Sequence, residues 1–359
     1  MMRAALALAR RSLGRTWPNP AVGCVIVRDG RVIGRGRTRD GGRPHAETDA
    51  LGSARESVAG ATVYVTLEPC AHHGKTPPCA DALIAAGVTR VVSALEDPDP
   101  RVKGQGHSRL KAAGIAVEIG EGAAEAAEIN AGFFLRVREG RPLFHLKLAS
   151  SLDGRIATAS GESKWITGDA ARADGHRLRS IHDAILVGAG TVAADDPELT
   201  CRLPGLEAYS PDRIVLDSTG AISETSKLAT TARATPVLLF HAGAPPARTA
   251  LLRKKGISVI EVPARGEARV DVVAAARELG GLGYSNVLIE GGGQIAAAFL
   301  RAGLVDRISS YRAGLVLGED SRSAVGPLAL TGLDFAPRFK LVSSRAVGAD
   351  TLETWYRRA

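Results

Sequence analysis

The chain has 359 residues, more than one typical domain core, so two domains are expected. Hydrophobic residues at 45% and charged residues at 23% exclude a disordered or fibrous chain, and no apolar run reaches the ~20 residues of a membrane helix. The net charge of +8 comes mostly from arginine, scattered rather than gathered, with aromatics at only 4%, which argues against a nucleic-acid surface built on base stacking and leaves phosphorylated small molecules as fitting partners.

The opening "MMRAALALARRSLGR" reads as a helix with Leu6 and Leu13 in its apolar stripe rather than as a targeting segment, and a cytoplasmic protein is expected. "AVGCVIV", a turn at Asp29-Gly30 and "RVIGRG" predict a hairpin. Helix "HAETDALGSAR", buried strand "ATVYVTLE", helix "PPCADALIAAG", strand "TRVVSAL", helix "GHSRLKAAG" and strand "IAVEIG" follow as a βαβ-type series. One helix, "AEAAEINAGFFLRVREG", then stops at Gly140 and Pro142, which puts a domain boundary at 142. The second part restarts with strand "PLFHLKLASSLDG". A helix after "WITG", strands "AILVGAG", "RIVLDS" and "PVLLFH", helix "DVVAAARELGGLG", strand "NVLIE" and helix "GGGQIAAAFLRAG" make it a second α/β domain. "GAPPARTALLRKKG" reads as a surface loop leading into a helix.

Four cysteines are too few for a disulfide scaffold of this length. Cys24 sits in a strand and reads as a small buried hydrophobe, and Cys201 has no partner motif. Cys70 and Cys79 differ, because His45 and Glu47 precede them in the order "HAE…EPC…C". Two thiolates and an imidazole suit Zn²⁺, and three protein ligands leave a fourth position for a water whose pKa falls towards ~7. Glu47 is then free to move protons. This is the ordering of zinc nucleobase deaminases, H-x-E then P-C-x-x-C, although here eight residues rather than two separate the cysteines. A closed structural site is the competing reading, and it needs a fourth ligand such as His72 or His73.

"PNPAVGCVIV", "HAE", "VTLEPCAHHGKTPPCADALIAAGV" and "EDPDPRVKGQG" resemble the deaminase half of the bifunctional riboflavin-biosynthesis deaminase–reductases, where the long insertion between the cysteines is normal. The rest of the chain resembles the reductase half through "LKLASSLDGRIA", "GESKWITG", "GAGTVAADDPELTCR" and "IEGGG". The resemblance implies a cytidine-deaminase-like α/β/α sandwich over 1–142 and a dihydrofolate-reductase-like α/β domain over 143–359. It also implies Zn²⁺ and NADPH as cofactors. The implied substrate is 2,5-diamino-6-ribosylamino-4(3H)-pyrimidinone 5′-phosphate, deaminated at C2 and then reduced at C1′ to the ribityl chain. His45, Cys70 and Cys79 would be the zinc ligands and Glu47 the proton shuttle. Asn19, His72, Lys75 and Asp97 would line the deaminase pocket, with Lys75 suited to the 5′-phosphate as a point charge. Two positions depart from the family: Asp49 stands where a second His is usual, and Asp99 where Asn is expected.

In the second domain, a glycine run at "IEGGGQI" before a helix could present backbone N–H groups to a phosphate, though glycine runs also serve plain turns and no G-x-G-x-x-G occurs. The resemblance implies Ala149, Trp165, Thr191, Asp195, Gly292 and Gly293 as NADPH contacts. It implies Ser163, Arg179, Leu199, Arg202 and Glu290 as substrate contacts, with Lys147 and Glu290 as candidates for proton handling or ring opening. Taken alone, Lys147 reads as a strand lysine, Arg179 as a helix C-terminal charge, Trp165 as core and Asp153 as a turn residue. A homo-oligomer is expected, with no nucleic-acid or membrane partner. Two other readings compete: a tRNA-type nucleic-acid deaminase with a basic RNA-binding second domain, and a zinc-stapled binding module in which Glu47 has no task.

Overall fold

A computed structural model of the chain describes residues 1–72, 77–266 and 268–358. It divides into two compact units, Met1–Gly140 and Arg141–Ala359.

In the first unit, α1 (Met2–Arg10) buries Met2, Ala5, Leu6 and Ala9, the one-sided spacing of an amphipathic helix. Strands β1 (Gly23–Arg28) and β2 (Arg31–Arg37) form the predicted hairpin about Asp29-Gly30. Then come α2 (Ala46–Ser53), β3 (Thr62–Val65), α3 (Cys79–Ala85), β4 (Arg90–Ser93), α4 (Gln105–Ala112) and β5 (Ala116–Ile119). The sheet runs β2-β1-β3-β4-β5, with β1 antiparallel to both neighbours and β3, β4 and β5 parallel. Alternation along β1 sends Cys24 and Ile26 into one apolar core and Val25 into the other, so helices cover both faces. Parallel β3 and β4 end on the same edge, and the loops leaving it carry Cys70 and Asp97.

The predicted helix over 124–140 is in fact two, α5 (Ala123–Ile129) and α6 (Ala131–Glu139). Asn130 breaks it. Its buried side chain accepts from Ala21 N at 2.9 Å and donates to Ala21 O at 3.1 Å, tying the helix pair to the segment before β1.

The second unit is built on a nine-stranded sheet. In chain order it contains β6 (Leu143–Ser150), β7 (Arg155–Ala157), α7 (Asp169–Ser180), β8 (Ala184–Gly188), α8 (Ala189–Asp195), β9 (Asp212–Leu216), α9 (Lys227–Thr230), β10 (Val237–His241) and α10 (Pro246–Lys254). It continues with β11 (Ser258–Glu261), β12 (Ala264–Arg265), β13 (Arg269–Val270), α11 (Val272–Gly281), β14 (Asn286–Ile289), α12 (Gly293–Arg301), β15 (Val305–Arg312), β16 (Arg322–Ser323), β17 (Phe339–Val347) and β18 (Asp350–Arg357). Strand order is β11-β10-β9-β8-β14-β6-β15-β18-β17, parallel from β11 to β15 and antiparallel over the last two. Strands β8, β9 and β10 are buried along their whole length or nearly so, the mark of a parallel sheet covered on both faces. β17 is an edge strand whose residues are almost all exposed. Among the described residues no helix is long and apolar enough to cross a membrane.

Candidate active sites

In the first unit the metal-type donors converge. His45 stands at the N-cap of α2, and α2 lies hard against β2: a Cβ on Gly36 would sit 2.2 Å from Ala46 O. Only glycine allows that approach, and it fixes where His45 and Glu47 begin. Cys79 opens α3, and its N–H donates to Cys70 Sγ at 3.3 Å. His45 Nδ1 is 3.6 Å from Cys70 Sγ and 3.4 Å from Cys79 Sγ. The three donor atoms all lie within 4.8 Å of one another. Cys70 is held well below the usual thiol range by the Cys79 thiol and by His45, against the upward pull of burial. A thiolate, a second thiol and an imidazole on one point are the donor set a Zn²⁺ ion takes, and they fit it.

Glu47 is buried at 3% exposure beside these sulfurs, pushed up to about 7 by burial and then by the Cys70 thiolate. A buried carboxyl poised near neutrality can both accept and return a proton.

Around this trio the other predicted residues fall as follows. Asn19 donates to Gly42 O at 2.9 Å, pinning its turn to the loop before His45. His72 is half-buried, and its Nδ1 has no hydrogen-bond partner among the described residues. Asp97 is buried and raised to about 6, mainly by that burial. Asp99 is clasped by Arg101, Nε to Oδ1 at 3.0 Å and Nη2 to Oδ2 at 2.5 Å, so the unexpected carboxylate is neutralised in place. Lys75 and His73 lie outside the described residues.

Glu68 is a residue the sequence reading missed. Its buried carboxylate accepts from Asp97 N at 3.1 Å, Gly104 N at 2.9 Å and His107 N at 3.1 Å, and so shapes the loop that delivers Asp97.

In the second unit a charged cluster gathers where β14 ends. Glu290 follows β14. Arg179 at the end of α7 meets it with two parallel bonds, Nε to Oε1 at 2.8 Å and Nη2 to Oε2 at 3.0 Å. Lys147 of β6 adds its Nζ at 3.7 Å from Oε2. Burial would raise Glu290, but Arg179 and Lys147 outweigh it and hold the carboxyl at about 2. Arg179 also donates through Nη1 to Thr200 O at 2.9 Å, so each of its nitrogens already has a protein partner. Lys147 Nζ lies 5.8 Å over the ring of Tyr311, whose hydroxyl donates to Asp174 at 2.7 Å. Tyr311 and Asp174 carried no signal in the sequence.

Arg202 enters through its backbone, N–H to His176 Nδ1 at 3.2 Å. Leu199 is buried with φ of 57°. Ala149 lies two residues beyond Lys147 on β6. Thr191 Oγ1 accepts from Gly292 N at 3.3 Å, joining two predicted positions. Gly292 caps α12 without a side-chain bond, which leaves first-turn N–H groups for an anion such as a dinucleotide phosphate. Gly293 has a packing reason to be glycine, since a Cβ there would lie 2.6 Å from Ser323 O. Trp165 is 66% exposed, with the Arg172 guanidinium over its ring, an exposed aromatic rather than core. Among the described residues no hydrogen bond or ion pair joins Ser163, Trp165 or Asp195 to the Lys147–Glu290–Arg179 cluster.

Known proteins align with this geometry. The family model for the cytidine and deoxycytidylate deaminase zinc-binding region matches residues 1–95, and that for the RibD C-terminal domain matches residues 142–352. The riboflavin biosynthesis protein RibD of Escherichia coli is 43% identical over 97% of this chain and 96% of its own length. That of Bacillus amyloliquefaciens is 38% identical over 97% and 93%. The solved structure of Acinetobacter baumannii RibD superposes with a TM-score of 0.88 at 40% identity, covering 100% of this chain and 98% of that one. A Thermotoga maritima deaminase/reductase gives 0.86 at 35% identity, covering 99% and 97%. The first unit is thus a cytidine-deaminase-like α/β/α sandwich and the second a dihydrofolate-reductase-like α/β domain. From its first helix to its last strand, the chain belongs to the RibD family of bifunctional riboflavin-biosynthesis enzymes.

Proposed function

We propose that residues 1–142 remove the C2 amino group of 2,5-diamino-6-ribosylamino-4(3H)-pyrimidinone 5′-phosphate as ammonia, and that residues 143–359 then reduce the ribosyl group to ribityl with NADPH. The observation that carries this reading is the convergence of His45, Cys70 and Cys79 beside the buried Glu47. Those three residues would hold Zn²⁺, which supplies an activated water, while NADPH supplies a hydride. Glu47 takes one proton of the attacking water as the C2–O bond forms and gives it to the ring nitrogen. It then takes the proton of the new C2 hydroxyl and delivers it to the amine, so that the C2–N bond breaks with loss of ammonia and C2–O becomes a carbonyl. Asp97, His72, Asn19 and Lys75 orient the pyrimidine and its phosphate.

In the reductase half, Glu290 stays an anion, so its task is to hold Lys147 in place. Lys147 gives a proton to the ribose ring oxygen as the C1′–O bond opens. Arg202 meets the 5′-phosphate, with Ser163 and Leu199 against the sugar. Gly292, Gly293, Thr191, Ala149, Asp195 and Trp165 seat the cofactor.

A cytoplasmic homo-oligomer is the further reading. The exposed Leu341 and Val342 on edge strand β17, near Leu333 and Phe335 in sequence, support self-association there. Purified protein given the substrate is expected to release ammonia and to consume NADPH only after that release begins. Ammonia release without NADPH loss would remove the reductase reading alone.

A further inference from the structure

We propose that His176 is a positioning residue of the reductase site, fixing the segment 200–202 so that Arg202 faces the substrate's phosphate; this rests on the reductase reading above.

His176 and Arg179 are three residues apart on α7 and therefore share a face. Three contacts tie that face to the segment. Arg179 Nη1 donates to Thr200 O at 2.9 Å, Cys201 Sγ donates to the His176 carbonyl at 3.3 Å, and Arg202 N donates to His176 Nδ1 at 3.2 Å. Of these three, the third runs through the His176 side chain, which also has a backbone hydrogen bond with Thr200 in the same segment. It requires a neutral ring with its proton on Nε2, because a charged imidazole has no lone pair to offer. The surroundings favour that state: burial first, then the Arg179 and Arg202 charges, bring His176 down to about 4, against Glu290 and a backbone hydrogen bond with Thr200.

The segment needs such an anchor. It is entered through Leu199, buried at φ of 57°, a backbone conformation that leucine adopts only where its surroundings hold it. The anchor takes Arg202 by its backbone N–H. The guanidinium itself, about half exposed, meets only Glu198 at 3.6 Å among the described residues. A fork held at its base and loosely engaged at its tip is arranged to close on a planar or tetrahedral anion.

An asparagine at 176 keeps an acceptor near the Nδ1 position, whereas leucine keeps the bulk and loses the acceptor. The test is steady-state kinetics of NADPH oxidation on the deaminated intermediate, with inorganic phosphate as a competitive probe and NADPH affinity by fluorescence as the check on folding. His176→Leu should raise KM and the phosphate Ki about 10-fold, with kcat within about twofold and NADPH affinity unchanged. His176→Asn should return KM to within about threefold of wild type. An unmoved KM in His176→Leu, a loss confined to kcat, or an asparagine variant as impaired as the leucine one overturns the proposal. Should His176→Leu lose NADPH binding, His176→Ala carries the same comparison with the same outcomes. If the wild type itself oxidises no NADPH on the intermediate, it is the reductase reading that fails, and this inference with it.

Discussion

Arg179 grips Glu290 through a two-pronged pair, 2.8 and 3.0 Å, while Lys147 approaches the same carboxylate at 3.7 Å. One anion therefore serves two cations in a pocket where none of the three is well solvated. Removing the anion leaves both cations uncompensated.

Glu290→Gln should therefore lower reductase kcat/KM at least about 100-fold, the scale for losing an organised electrostatic group at a reacting centre. Ammonia release should stay within about twofold, because the deaminase residues belong to the other unit. Separate assays of the two steps on one preparation check this, and equal loss of both would contradict two independent sites.

Stripping the metal should act on the first unit alone. Chelation, or Cys70→Ser, should abolish ammonia release and lower the melting temperature of that unit, since a metal held by His45, Cys70 and Cys79 would add directly to folding free energy. NADPH oxidation on the deaminated intermediate should persist. Elemental analysis before and after dialysis against chelator, beside the two assays, decides it.

Glu68 offers a prediction outside the motifs. Glu68→Gln replaces a carboxylate that accepts three backbone N–H groups by an amide with one accepting oxygen. About 1–3 kcal/mol of local stability should be lost. Because the loop it holds carries Asp97, deaminase KM should rise while zinc content stays constant. A variant with unaltered deaminase KM would show that the loop holds its shape without this carboxylate.

Acid stability should be set partly by two buried histidines in the second unit. His145 Nδ1 meets His182 Nε2 at 3.1 Å, and burial lowers both, His182 to about 4 and His145 well below its ordinary value. The unfolded chain takes up these protons near pH ~6.5, before the folded chain does. Stability therefore falls as pH drops from about 6.5 towards 4 and is regained on the alkaline side. For His182 the effect is up to about 3 kcal/mol. Thermal melts of wild type and His182→Asn across that range test it: the variant should show the shallower decline, and identical slopes would contradict the assignment.

Much of this was legible in the sequence because the chemistry is written in short, local motifs. "HAE" and the second cysteine each begin a helix and "EPC" lies in the loop leaving β3, so once α2, β3 and α3 fold, the donors meet. What was not legible depends on long-range partners. Asn130 sits in a helical pattern, and only Ala21, 109 residues away, reveals it as a break. Tyr311 lies on β15, where Ser309 takes one of the buried positions, so "VDRISSYR" shows no apolar alternation. β17 is exposed on both faces and so carries no burial period at all. The residue Asp99, which departs from the family pattern, finds its counter-charge two positions on in Arg101, a pairing visible only once the loop is turned.

The measurement closest to the centre of the account is Glu47→Gln, assayed for zinc content, for ammonia release and for NADPH oxidation on the deaminated intermediate. The account predicts wild-type zinc, ammonia release lowered by a factor of at least about 100, and unchanged NADPH oxidation. Ammonia release at the wild-type rate would mean that the buried carboxyl beside His45, Cys70 and Cys79 is not the proton carrier, and that the first unit performs its chemistry some other way.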